Sequence, residues 1–100
     1  MEDTTTPQQR AARLRLATNL KLLRGKVGMS QETLADHVGL HRNHVGLIER
    51  GLANVTLDNL VSLATALGVG EAQLLTEPVG EPAPIKTGRK KKTGEAKPKS

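Results

Sequence analysis

The chain has no phenylalanine, tryptophan or tyrosine among its 100 residues. Its interior is therefore aliphatic, drawn from fifteen Leu, seven Val, two Ile and ten Ala. Single-stranded nucleic acid is usually held by stacking bases on aromatic rings, so that binding mode is disfavoured. Cysteine is absent as well, which excludes a disulfide framework, a thiol nucleophile and a thiolate metal site. Long apolar runs are also missing. The longest, Leu60 to Val69, is about half of a membrane span and is interrupted by Ser62 and Thr65. The chain opens on acids, Glu2 and Asp3, the wrong start for a secretory signal. Together these absences predict one small, soluble, cytoplasmic domain near the lower size limit for an unaided core.

What is present is positive charge: fifteen Lys+Arg against ten Asp+Glu, a net +5. Its placement matters more than its sum. Residues 78–100 carry seven basic and two acidic residues, including the run Arg89 to Lys92, so the whole excess lies there. With Pro78, Pro82, Pro84 and Pro98 and only Val79 and Ile85 as large apolar residues, this segment reads as a disordered basic tail. It serves either as a solvated tail or as a nonspecific phosphate contact. Residues 1–77 balance eight bases against eight acids, yet Arg10, Arg13, Arg15, Lys21, Arg24 and Lys26 follow one another with no acid between them. A neutral domain of this kind can present one positive face.

Residues 1–7 read as a flexible N-terminus and residues 8–77 as a single helical domain, with nothing alternating at the period of a strand. Thr6-Pro7-Gln8-Gln9 is a helix start, with Thr as N-cap and Pro at the first turn. Leu16, Leu20, Leu23 and Val27 then form one apolar stripe, and Gly25 and Gly28 end the helix, predicted over about 7–25. Ser30 caps a second helix, 31–38, with Leu34, Ala35 and Val38 on one face; Gly39 stops it. A third, 42–50, follows His41 and points Val45 and Ile48 inward. Thr56 caps a fourth, 57–67, carrying Leu57, Leu60, Leu63, Ala64 and Leu67. A last turn, 71–75, offers Leu74 and Leu75. The predicted class is all-α: a compact five-helix domain.

Two short helices joined at Gly39 have the spacing of a DNA-binding helix-turn-helix. Residues 19–75 resemble the lambda-repressor and Cro-type family, also called the xenobiotic-response-element family. The resemblance is carried by Leu20, Leu23-Arg24, Met29-Ser30-Gln31-Glu32, Leu34-Ala35, Val38-Gly39-Leu40, Val45 and Ile48-Glu49-Arg50-Gly51. It continues through Asn54, Thr56-Leu57, Leu60, Leu63-Ala64, Ala66-Leu67-Gly68-Val69 and Leu74-Leu75. Within the family, Gly39-Leu40-His41-Arg42 followed by Ile48-Glu49-Arg50-Gly51 is most similar to restriction-modification controller-like regulators.

That resemblance implies a transcriptional regulator, a homodimer on a two-fold symmetric double-stranded DNA operator, located in the cytoplasm with the nucleoid. With Val45 and Ile48 turned inward, Arg42, Asn43, His44, Gly46 and Leu47 are left to face DNA from the third helix. Arg42 suits guanine, and Asn43 suits adenine or a phosphate. Leu47 is either a contact to a thymine methyl or loosely packed surface. Gly46 costs about 1 kcal/mol in a helix interior and permits close approach to DNA. Gln31, Arg50, Asn54 and Ser30 match phosphate contacts, Ser30 being first of all a cap. Arg24 and Glu49 match a buried ion pair; otherwise Arg24 extends the basic face. Leu74, Leu75 and exposed aliphatics of the fourth helix are the implied dimer surface. The sequence departs from the family at three places: His41 stands where Ser or Thr caps the recognition helix, Val55 replaces a proline, and His44 replaces a common aromatic.

Enzymatic and cofactor readings find little support. His37, His41 and His44 suggest a metal site only superficially, because Gly39 breaks the helix between the first two and no carboxylate stands at ligand spacing. Ser30, Ser62 and Ser100 have no base-and-orienter set nearby. No phosphate-cradling glycine loop or small-molecule pocket is evident. The expectation is a non-enzymatic protein with no cofactor or metal. The competing function class is a protein-interaction module, such as an antitoxin or adaptor, that keeps the helix-turn-helix as a scaffold.

Overall fold

In the computed structural model, residues 4–78 are described. They form five α-helices: α1 (Pro7–Val27), α2 (Gln31–Val38), α3 (Arg42–Glu49), α4 (Leu57–Leu67) and α5 (Glu71–Leu75). No strand occurs among the described residues, as the all-α reading expects. The basic tail read over 78–100 lies outside them from residue 79 onward.

Helix starts follow side-chain capping. Thr6 and Gln9 exchange reciprocal bonds, Gln9 N–H to Thr6 Oγ1 at 3.0 Å and Thr6 N–H to Gln9 Oε1 at 2.9 Å, a complete capping box. Thr6 and Pro7 thus belong to the start of α1 and not to a flexible terminus. Ser30 accepts from the Thr33 amide and Thr56 from the Asn59 amide, both at 3.0 Å. α1 runs two residues beyond the predicted end, because Gly25 remains helical and Gly28 (φ 70°) is the residue that leaves the helix. α3 stops one residue early, at Glu49.

One aliphatic core joins all five helices. Leu16 and Leu20 of α1 meet Leu34 and Ala35, Val45 and Ile48, Leu60, Leu63, Ala64 and Leu67, and Leu74 of α5. Two expected core residues are not in it. Val27 is 52% exposed in the last turn of α1, and Leu57 is 71% exposed in the first turn of α4. A third expectation changes direction: Leu74 has no exposed surface, whereas Leu75 is 41% exposed. Leu74 therefore fills the chain's own core and is not available to a partner.

The short α5 is held from α1. Asn19, itself buried, donates through Nδ2 to the carbonyls of Leu74 at 2.9 Å and Thr76 at 2.7 Å. One turn earlier, Arg15 Nε donates to the Leu75 carbonyl at 3.1 Å. The last carbonyls of a helix have no intrahelical donor, and α1 supplies the missing ones.

Candidate nucleic-acid interface

The turn between α2 and α3 fixes the site. Gly39 adopts φ 73°, the left-handed conformation that glycine tolerates without strain, and the Leu40 amide returns to the Ala35 carbonyl at 2.9 Å. His41 then caps α3: its Nδ1 accepts the Asn43 amide at 3.0 Å. Where Ser or Thr caps the recognition helix in the family, an imidazole makes the cap here.

At its other end α3 is fastened to α1. Arg24 Nε and Nη2 grip Glu49 Oε2 and Oε1 at 2.7 and 2.9 Å, and Arg24 Nη1 donates to the Met29 carbonyl at 2.9 Å. The Glu49 side chain is 3% exposed and that of Arg24 22%. The hydrogen bond it donates to Glu49 raises Arg24 above the ordinary guanidinium range, against the opposing effect of burial. The guanidinium is therefore charged wherever the fold persists. Close packing continues just past the helix: a Cβ added to Gly51 (φ 75°) would lie 2.9 Å from Leu14 Cδ2 of α1.

Gln31 Nε2 donates to Glu49 Oε1 at 2.9 Å, a contact that sequence reading missed. The carboxylate thus accepts three side-chain bonds and ties α1, α2 and α3 at one point. Gln31 Oε1 lies beside Gly46, 3.9 Å from where a Cβ would stand.

An open groove of about 840 Å³ is lined by Lys21, Gln31, Arg42, Asn43, Gly46, Leu47, Glu49 and Arg50. It brings together most of the residues singled out from sequence, and adds Lys21. The signal for Lys21 was available: it precedes Arg24 by three residues, and positions three apart share a helix face. Arg42 makes only a marginal approach to Glu32 at 4.0 Å, with both side chains well exposed, an arrangement of little energetic value. Leu47 is 39% exposed.

The remaining residues lie elsewhere. Ser30 is occupied as a cap and also donates to Thr33 Oγ1 at 2.9 Å. His44 is half-buried within α3 and does not line the groove. Asn54 is exposed in the α3–α4 loop and lines a second, mostly apolar groove of about 350 Å³. That groove also has Arg13, Leu16, Val55, Leu57, Leu60 and Leu75 on its walls. No group of three His, Asp or Glu side chains among the described residues is placed to hold a metal ion. No helix among them is long and apolar enough to cross a membrane.

Known proteins match this architecture. A hypothetical transcription factor from Neisseria has a solved structure that is 40% identical, with a TM-score of 0.67 over 78% of this chain and 88% of that one. The restriction-modification controller protein C.AhdI from Aeromonas hydrophila is 45% identical, with a TM-score of 0.60 over 62% of this chain and 94% of that one. Control protein C.SmaI from Serratia marcescens is 46% identical over 61% of this chain and 73% of its own length. The helix-turn-helix family model matches residues 20–74, from the second half of α1 to α5. With the capped α2–turn–α3 unit at its centre, the chain belongs to the helix-turn-helix family.

Proposed function

We propose that this helix-turn-helix regulator acts as a homodimer on a two-fold symmetric double-stranded DNA site, with α3 in the major groove. The observation that carries this reading is the convergence of Gln31, Arg42, Asn43, Leu47 and Arg50 on one open groove beside the α2–α3 turn. Its similarity to the control and controller proteins C.SmaI and C.AhdI supports the same class of activity.

Arg42 and Asn43 begin α3, where a recognition helix presents side chains to base edges. Arg42 pairs with guanine and Asn43 with adenine or a phosphate, each good base contact being worth roughly 1–3 kcal/mol of discrimination. Leu47, on the wall of the same groove, meets a thymine methyl. Gln31, Arg50, Asn54 and Ser30 take the DNA backbone. Gln31 gives one amide proton to Glu49 and keeps the other for a phosphate, at the start of α2 where backbone amides favour an anion. The dimer forms over Leu75, Leu57 and Val61, all 40% exposed or more. Leu57 and Val61 are one turn apart on α4.

Selection of binding sites from random-sequence duplexes, followed by mobility shift, tests the reading. A palindromic site is expected to emerge, with half-sites about 34 Å apart and two chains per site in sedimentation. Arg42→Ala is expected to relax preference at one base pair. Failure to enrich any sequence, or Arg42→Ala binding as wild type does, overturns the regulator reading in favour of an interaction module. A strict monomer on a symmetric site overturns the dimer.

A further inference from the structure

We propose that Lys21 of α1 is a DNA-backbone contact of the same interface, joining the first helix to the recognition groove as a phosphate-binding cation. The inference rests on the DNA-binding reading above. It concerns a residue that lies outside the α2–turn–α3 unit.

Three observations carry it. Lys21 is exposed and lines the groove with Gln31, Arg42, Asn43 and Arg50. The one acid on those walls, Glu49, is already paired with Arg24 through two bonds and accepts a third from Gln31, so its charge is matched without Lys21. No carboxylate among the described residues lies within 4.0 Å of Lys21, whereas its neighbours on α1 are committed: Arg15 to the Leu75 carbonyl and Arg24 to Glu49 and the Met29 carbonyl. Lys21 is thus an uncompensated charge facing the space an anion would enter.

The residue type points to backbone and not to bases. A lysine ammonium is a compact point charge on a flexible stem, without the planar fork that reads guanine. Lys21 also sits off the recognition helix, so its contact positions the protein and carries no sequence information. Each phosphate neutralised contributes about 0.9 to the slope of log K against log salt.

The test measures fluorescence anisotropy with two labelled duplexes, one enriched by wild-type protein and one of unrelated sequence, at several NaCl concentrations. Lys21→Gln is expected to lower the slope by about 0.9 on both duplexes and to leave their affinity ratio unchanged. From about 50 to 200 mM salt, wild type then loses roughly 3.5-fold more affinity than the variant does. Lys21→Arg is expected to keep the wild-type slope. Lys26→Gln, removing a lysine that does not line the groove, controls for net charge. An unchanged slope for Lys21→Gln with wild type binding normally overturns the Lys21 contact alone. An equal loss from Lys26→Gln does so too, by making the effect one of net charge. Wild type binding neither duplex overturns the DNA reading itself. Thermal melts of each variant establish that the fold is kept.

Discussion

Replacing Arg24 with methionine strips two charge-assisted donors from a carboxylate that is 3% exposed, leaving Glu49 with the single neutral bond from Gln31. Breaking a buried pair from one side costs about 3–5 kcal/mol, because the remaining ion is desolvated without compensation. Arg24 itself is 22% exposed, so some water can take its place; a cost of about 2–4 kcal/mol is expected. In a domain of this size that is a fall in Tm of about 10–30 °C. The reverse variant, Glu49→Gln, leaves the charge on Arg24, which retains the Met29 carbonyl and partial access to solvent. It is expected to cost only about 1–2 kcal/mol. The asymmetry follows from which ion is the more deeply buried. The double variant Arg24→Met/Glu49→Gln removes both charges and is expected to recover about 1–3 kcal/mol relative to the sum of the single variants. Urea denaturation of the four proteins, with melts followed by circular dichroism, measures all of these differences. Equal costs for the two single variants, or Arg24→Met melting within about 3 °C of wild type, would refute the argument that desolvation of Glu49 dominates.

Other outcomes follow from individual contacts. Asn19→Ala removes the two bonds that Asn19 Nδ2 makes to the end of α5, leaving only that of Arg15, and orphans the buried Leu74 carbonyl. A loss of about 2–3 kcal/mol is expected, with amide exchange accelerating in α5 before α2. His41→Ala deletes the α3 cap and is expected to cost about 0.5–2 kcal/mol, with His41→Ser restoring most of it; chemical denaturation at pH 8 reads this directly. Leu74→Asp and Leu75→Asp, adjacent and chemically identical changes, are expected to diverge. The first places a charge in the core and unfolds the domain, whereas the second leaves a folded monomer by sedimentation and circular dichroism.

Much of the fold was legible because its punctuation is local. Thr6, Ser30 and Thr56 each precede an apolar face at helical spacing, and their caps need only residues three positions away. The expectation for Gly25 erred because glycine ends a helix only where the chain turns left-handed, and that happens at Gly28. Val27 and Leu57 continue their helices' apolar stripes, but a stripe records periodicity and not the length of the neighbours that cover it. Leu74 and Leu75 are indistinguishable in sequence, and only three-dimensional packing separates them. For the candidate site, the groove residues on α2 and α3 were identifiable from position. Asn19 was not, since its partners are backbone carbonyls 55 and 57 residues away, which no side-chain pattern announces. The Gln31–Glu49 bond was hidden for a related reason, as both residues already had roles assigned with other partners.

Five residues make up α5, far too few for a helix to persist alone in water. It exists because Leu74 is seated beneath it and because Arg15 and Asn19 hold its end. Its outward residue, Leu75, lies on the proposed dimer face, so one marginal helix bears on both folding and self-association. Any second chain that covers Leu75 holds α5 down, and by mass action the melting temperature then rises with protein concentration. Dilution of such a dimer would have the opposite effect, freeing the surface and loosening the helix together. A dimer formed over Leu75 would make the regulator least stable when it is scarce, coupling its abundance to its fold as well as to its assembly.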